Sequence, residues 1–125
     1  MMEPEIKAEW IKRLRSGDYV QGINALRDNY DKHCCLGVLC EIAVEREITE
    51  RWENYAEWPG TYAYGSNDDD SLKTGTMPDE VWKWAGLYDD VGSYKDNYND
   101  VATLTHLNDT GSTFDEIANV IERYF

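Results

Sequence analysis

The 125-residue sequence predicts an α+β fold: one mainly helical domain with a buried central helix and a small antiparallel β-hairpin. Three observations carry this expectation. From Cys34 to Val44 only Glu41 is charged, so a helix there is apolar nearly all round and belongs in an interior. Apolar residues recur at helical spacing near both ends of the chain, and an aromatic, Gly- and Pro-punctuated stretch from Thr49 to Met77 breaks that period. A single domain of this length buries about two-thirds of the surface its unfolded chain exposes. With 42% hydrophobic residues, 5 Trp and 9 Tyr, the chain can fill a core despite a formal net charge of -13.

Taken in order, Pro4 suits a first helical turn, with Glu3 and Glu5 at the positive end of the dipole, and Ile6, Trp10 and Leu14 recur at fourfold spacing before Gly17. Lys12, Arg13 and Arg15 fall in the last turns, where cations suit the negative end of a helix; they also form a small basic cluster able to bind an anion. Residues 18–32 hold short apolar pieces and Asp-Asn turn material, predicting a small hairpin or a turn into a short helix. The central helix is expected from Cys34 or Cys35 to about Glu47, and Gly37 within it implies that another element crosses close to its backbone.

The hairpin is placed at Thr61–Tyr64 with Leu72–Thr76, around the acidic turn Asn67-Asp68-Asp69-Asp70. Pro78 then opens a short helix whose inner face is Val81, Trp84 and Ala85; Gly86 closes it, and Leu87 packs back. After a polar, Tyr-containing connection over 88–99, Val101, Leu104 and Leu107 mark another helix, ended by Asn108-Asp109-Thr110-Gly111. Thr113 and Glu116 have capping-box spacing before a last helix with Phe114, Ile117, Ala118 and Ile121 on its apolar face.

Charge sorts the function classes. Residues 1–33 carry six basic and six acidic side chains, so the whole excess lies in 34–125, with 6 basic against 19 acidic. An acidic body repels nucleic acid directly and attracts cationic partners. No basic region precedes an apolar stretch at the N-terminus and no run of 18 apolar residues occurs, so a soluble, cytoplasmic protein with no membrane partner is expected. Three cysteines within seven residues do not form a secreted disulfide pattern, and reduced thiols are expected.

Candidate chemistry follows from particular residues. His33, Cys34, Cys35 and Cys40 look like metal ligands, but on a helix Cys35 and Cys40 differ by about 140° around the axis and His33 and Cys40 by about 10.5 Å along it. They cannot converge on one ion, so no metal and no cofactor is expected. Cys34 at a helix N-terminus, with His33 or His106 as base, is a candidate thiol nucleophile; buried inert cysteine is the competing reading. The helix pair around Asn108–Gly111 looks like a helix-turn-helix, yet 100–125 carries only Arg123 against five carboxylates, which leaves nothing to hold phosphate. Glu41, Glu45, Glu50, Glu53 and Glu57, with Asp68, Asp69 and Asp70, are the candidate partner-binding carboxylates, able to imitate the phosphates of a nucleic acid or simply to form a solvated face. Trp52, Trp58 and Tyr62, with Trp82, either line a pocket or interface or close a small core.

The series Trp10-x3-Leu14-Arg15-Ser16-Gly17-x-Tyr19-x-Gln21-Gly22, Leu26-Arg27 and Cys34-Cys35-Leu36-Gly37-Val38-Leu39-Cys40 resembles a family of small proteins of tailed bacteriophages and prophages. Pro78-x2-Val81-x2-Trp84-Ala85-Gly86-Leu87 and Leu107-Asn108-Asp109-x-Gly111-x-Thr113-Phe114-x-Glu116-Ile117-Ala118 extend the resemblance over almost the whole chain, with Met77 a departure from the expected Leu. The resemblance implies a viral origin and little chemistry. It draws attention to Gln21, Asn108 and Asp109 as candidate ligand-binding residues, with helix capping the competing reading for Asn108 and Asp109.

The leading expectation is a non-enzymatic phage accessory protein that binds a host protein, and inhibits a defence or nucleic-acid-processing function, through its acidic surface. The alternative is a small-molecule, nucleotide-like binding protein using Arg13, Arg15, Gln21, Asn108, Asp109 and the aromatic residues; a cysteine-dependent enzyme comes third.

Overall fold

The computed structural model describes residues 2–53, 62–66 and 72–125. Among these, five helices and three two-stranded pairs form an α+β fold, in the order α1 (Pro4–Arg15), β1 (Val20–Gln21), β2 (Lys32–His33), α2 (Cys35–Glu45), β3 (Glu50–Trp52), β4 (Ala63–Gly65), α3 (Asp79–Ala85), β5 (Ser93–Lys95), β6 (Val101–Thr103), α4 (Leu104–Asp109) and α5 (Phe114–Tyr124). The expected class and the buried central helix are both present.

α2 is that helix: Cys35 to Cys40, Ile42 and Ala43 are all buried, with only Glu41, Val44 and Glu45 reaching its rim. α1 covers one side with Ile6, Trp10, Ile11 and Leu14, and packs against both α2 and α5. Trp10 is fully buried, and its Nε1 donates to the Cys35 carbonyl at 2.9 Å, satisfying the indole N–H that burial would otherwise orphan. α5 starts at a complete capping box, Thr113 with Glu116, and buries Phe114, Ile117, Ala118 and Ile121. α3 ends at Gly86 (φ 78°), whose left-handed conformation lets Leu87 N–H reach the Trp82 carbonyl and turns the Leu87 side chain back into the core.

The close crossing inferred at Gly37 is present. A Cβ built there would lie 1.7 Å from the carbonyl oxygen of Leu26, so only hydrogen fits between α2 and the loop that crosses it. Leu26 is itself fully buried, and its N–H donates to the Thr74 carbonyl at 2.7 Å.

The strands differ from expectation in three places. Tyr64 does meet Lys73 through an antiparallel bridge, 2.9 and 2.8 Å, but the ladder partner of β4 is β3, in the register Glu50↔Gly65, Arg51↔Tyr64, Trp52↔Ala63. Thr61, one end of the expected hairpin, lies outside the described residues. Residues 18–32 form no helix: Arg27 meets His33 through an antiparallel bridge, closing the small hairpin expected there around a turn in which Asp28 Oδ1 accepts from the N–H groups of Tyr30 and Lys32, while β1 and β2 pair in parallel. The polar connection over 88–99 contains β5, and Val101 is in β6 rather than in the following helix. That hairpin is closed by Asp96, whose Oδ1 accepts from Tyr98 and Asp100 N–H, and by Asn99 in the left-handed region at φ 63°. Three-residue strands are too short to show an alternating pattern, which is why neither was visible beforehand.

Candidate functional site

The carboxylates expected to project from the surface divide into separate groups. Glu41 does not project: its side chain is 13% exposed, Oε1 is 2.7 Å from Arg51 and 3.6 Å from Arg27, and Oε2 accepts from the buried Tyr64 hydroxyl. Burial, with Glu41 beside it, pushes the Tyr64 phenol far above its ordinary value, so it stays a proton donor. Glu45 is exposed but lies 2.5 Å from Arg13. Glu50 and Glu53 are exposed, whereas Glu57, Asp68, Asp69 and Asp70 lie outside the described residues.

The ligand-binding candidates do not converge either. Arg13 is held by Glu45, by Glu9 at 3.6 Å and by the Tyr19 hydroxyl, to which it donates at 3.2 Å. Arg15 reaches Glu122 at 3.3 Å and Asn119 at 2.7 Å on α5. Both cations are therefore neutralised within the fold. The open cleft beside Arg13, about 480 Å³, is lined by Glu9, Lys12, Ser16, Asp18 and Tyr19 and contains none of the aromatic candidates. Trp52 donates to the Gly65 carbonyl at 3.1 Å, Trp82 donates to Asp79 at 3.1 Å, and Tyr62 lies under the Arg27 guanidinium, 4.1 Å away. Trp58 lies outside the described residues.

Gln21, Asn108 and Asp109 do meet, and they knit the fold. Asn108 is 1% exposed; its Oδ1 accepts from Cys35 N–H at 3.1 Å and from Gln21 Nε2 at 2.9 Å, while its Nδ2 donates to the Gly22 carbonyl at 2.8 Å and to Asp109 Oδ1 at 3.2 Å. Cys34, the residue before α2, makes no side-chain cap, so Asn108 supplies from α4 the acceptor that the first turn of α2 lacks. Gln21 also donates to Ser112 O, and Asp109 accepts from Asn24 N–H.

Of the two readings of the cysteines, burial is the one the structure shows. Cys34, Cys35 and Cys40 are buried, and burial pushes Cys34 up to about 11 and the other two well above the ordinary thiol value, outweighing the helix terminus. Native protein treated with iodoacetamide at pH 8 is expected to keep all three thiols unmodified by intact mass, whereas unfolding in urea exposes all three. Labelling of Cys34 in the native state at the rate of a free thiol would show that the helix end, and not burial, governs it. No group of three or more His, Cys, Asp or Glu among the described residues is arranged to hold a metal, and no described helix is long and apolar enough to cross a membrane.

What the sequence missed is the face built on β5 and β6. Tyr88 is 83% exposed, Tyr98 86% and Val101 69%, which is unusual for side chains of this size. Tyr88, Ser93, Tyr94, Lys95 and Val101 line an open groove of about 390 Å³. Tyr94 stacks on Tyr124 at 5.1 Å and meets Phe125 at 5.5 Å, so the aromatic surface runs on to the end of α5. Over residues 88–101 the charges are Asp89, Asp90, Asp96 and Asp100 against Lys95 alone. The only advance signal was the density of tyrosine among aspartates.

These features define a small α+β domain with its thiols internalised and its aromatic and acidic groups presented on a surface. The chain belongs to the family described as Domain of unknown function (DUF8296), which matches residues 2–125. No match is found among curated proteins or solved structures.

Proposed function

We propose that this is a non-enzymatic accessory protein, of the phage type its motifs resemble, that docks on a host-cell protein by receiving a basic, apolar segment of that partner. The exposed aromatic groove on β5 and β6, lined by Tyr88, Tyr94 and Val101 in a segment of sequence that carries four aspartates against one lysine, is the observation that carries this reading. Tyrosine supplies large contact area at low entropic cost, and exposed apolar surface rimmed by charge suits association. The carboxylates speed encounter with a cationic partner and the aromatic groove holds it. The nucleotide-like alternative is weaker because Arg13 and Arg15 are already engaged by carboxylates. The enzymatic alternative is weaker because burial keeps the thiols protonated.

A photo-crosslinking residue placed at Tyr98, and in a second protein at Glu50, tests the docking face in host lysate. Adducts are expected from position 98 on Lys- and Arg-rich partner peptides. The pair Tyr88→Ser and Val101→Ser should weaken binding of the captured partner about tenfold or more while leaving the circular dichroism spectrum unchanged. Adducts from position 50 alone would move the interface to the acidic edge of β3, and adducts from neither position would remove the proposal.

A further inference from the structure

His33 is the residue at which three pieces of the chain meet. It ends β2, pairs with Gln21 of β1, bridges to Arg27, and leads through Cys34 into α2; its carbonyl accepts from the Gly22 N–H at 2.8 Å. The residue is 5% exposed, and both ring nitrogens are closed to solvent with no hydrogen-bond partner among the described residues. Tyr19 meets the ring edge-on, at 5.1 Å and 87°. Buried polar atoms are nearly always paired, so even a neutral imidazole is poorly placed here.

An imidazolium is placed far worse, because it brings two N–H donors and a charge into the same closed position. The groups around it come from three sides: Asp18 and Tyr19 before β1, Arg27, Asp28 and Asp31 in the turn, and Glu41 on α2. Most are committed elsewhere. The Tyr19 hydroxyl accepts from Arg13, Asp28 Oδ1 from the N–H groups of Tyr30 and Lys32, Asp31 Oδ1 from Arg27, and Glu41 from Arg51 and the Tyr64 hydroxyl. None of them bonds to a ring nitrogen. Glu41, Asp31 and Asp28 favour a charged ring and Arg27 opposes one, but burial is the largest influence and holds the ring below its ordinary value, hence neutral. The next residue, Cys34, is 6% exposed.

We propose that His33 is a proton-operated latch: the neutral ring holds the β1–β2 segment closed over the start of α2, and uptake of one solvent proton by the imidazole draws the ring into water, opens that segment and uncovers the Cys34 thiol. α1 packs on α2 and on α5 without this segment, so the helices stay together when it opens. None of these residues lines the groove of β5 and β6. In the open segment the ring regains its ordinary value of 6.5. Above that pH the equilibrium between closed and open is indifferent to pH. Below it the open form holds a proton that the closed form lacks, so opening rises by up to about tenfold per pH unit, until the closed ring itself titrates.

The test treats the intact protein with dipyridyl disulfide, which reacts with thiols in mildly acid solution too, from pH 8.0 to 5.5. Labelled cysteines are located by peptide mass, and each rate is divided by that of the urea-unfolded chain at the same pH. The normalised rate at Cys34 is expected to stay flat down to about pH 7 and then to rise about threefold or more by pH 5.5. Cys35 and Cys40 should stay unlabelled, which marks a local opening and not loss of the fold. In His33→Phe, whose apolar ring takes up no proton, the rate should not depend on pH. A second reading needs no variant: the wild-type His33 ring nitrogens, followed by NMR, should take up their proton at lower pH than in the urea-unfolded chain and in step with the rise at Cys34. A Cys34 rate flat over the whole range, an equal rise in His33→Phe, labelling of all three cysteines together, or a His33 that titrates as in the unfolded chain overturns the latch.

Discussion

Replacing Gly37 by alanine is expected to destabilise the fold by about 3 kcal/mol or more, the upper range for forcing a methyl group into a packed interior. The added Cβ would stand 1.7 Å from a backbone oxygen, that of Leu26, and the Leu26 segment cannot retreat freely. Its side chain fills the core and its N–H is anchored to Thr74. Either α2 shifts outward, loosening the contacts of Trp10 and Ile42, or the loop lifts and breaks that anchor. Urea unfolding followed by tryptophan fluorescence measures the loss. Gly75→Ala provides the control, because no atom lies within 4 Å of the place its methyl group would take, and this variant should change stability by less than about 0.5 kcal/mol. A Gly37→Ala protein as stable as the control would mean that the crossing is looser than the structure has it.

Asn108→Ala is expected to cost about 3 kcal/mol, since it strands the N–H of Cys35 and the carbonyl of Gly22 in the interior, each at roughly 1–3 kcal/mol. Gln21→Ala should cost less, about 1 kcal/mol, because Gln21 is only partly buried. The two residues share a hydrogen bond, so the double variant should fall short of the summed losses. Asn108→Asp is the sharper probe of mechanism: it keeps the acceptor for Cys35 but turns the donor toward Gly22 and Asp109 into a second oxygen. If the aspartate variant matched wild type at pH 7, the cap on α2 alone would explain the residue; a loss comparable to alanine assigns equal weight to the bonds that Nδ2 makes.

The helices were legible because each carries its own local signal. Pro4, the Gly86-Leu87 pair and the Thr113–Glu116 box mark ends, and the apolar run from Cys34 marks the interior. Gly37 was legible as well, because a glycine inside so apolar a helix has few other uses. The strands were not, since pairs of two or three residues are held by turn side chains such as Asp28 and Asp96 and by register, neither of which leaves a periodic trace. The surface was misjudged for a related reason. Composition counts Glu41, Arg13 and Arg15 as charges, and only the fold reveals that they neutralise one another or their neighbours. Asn108 shows the intermediate case: the motif around it was conspicuous, but its role as a cap for a helix in another part of the chain depends on tertiary contact.

That distant cap bears on how the chain is made. The first turn of α2 waits for an acceptor 73 residues downstream, and the face of α1 waits for α5, which leaves the ribosome later still. The apolar core helix therefore emerges long before its partners do. Synthesis at about 5–20 residues per second leaves it uncovered for seconds, and long-range contacts of this kind form late. The chain can complete its fold only once α4 and α5 have emerged, in one step that joins its early and late segments.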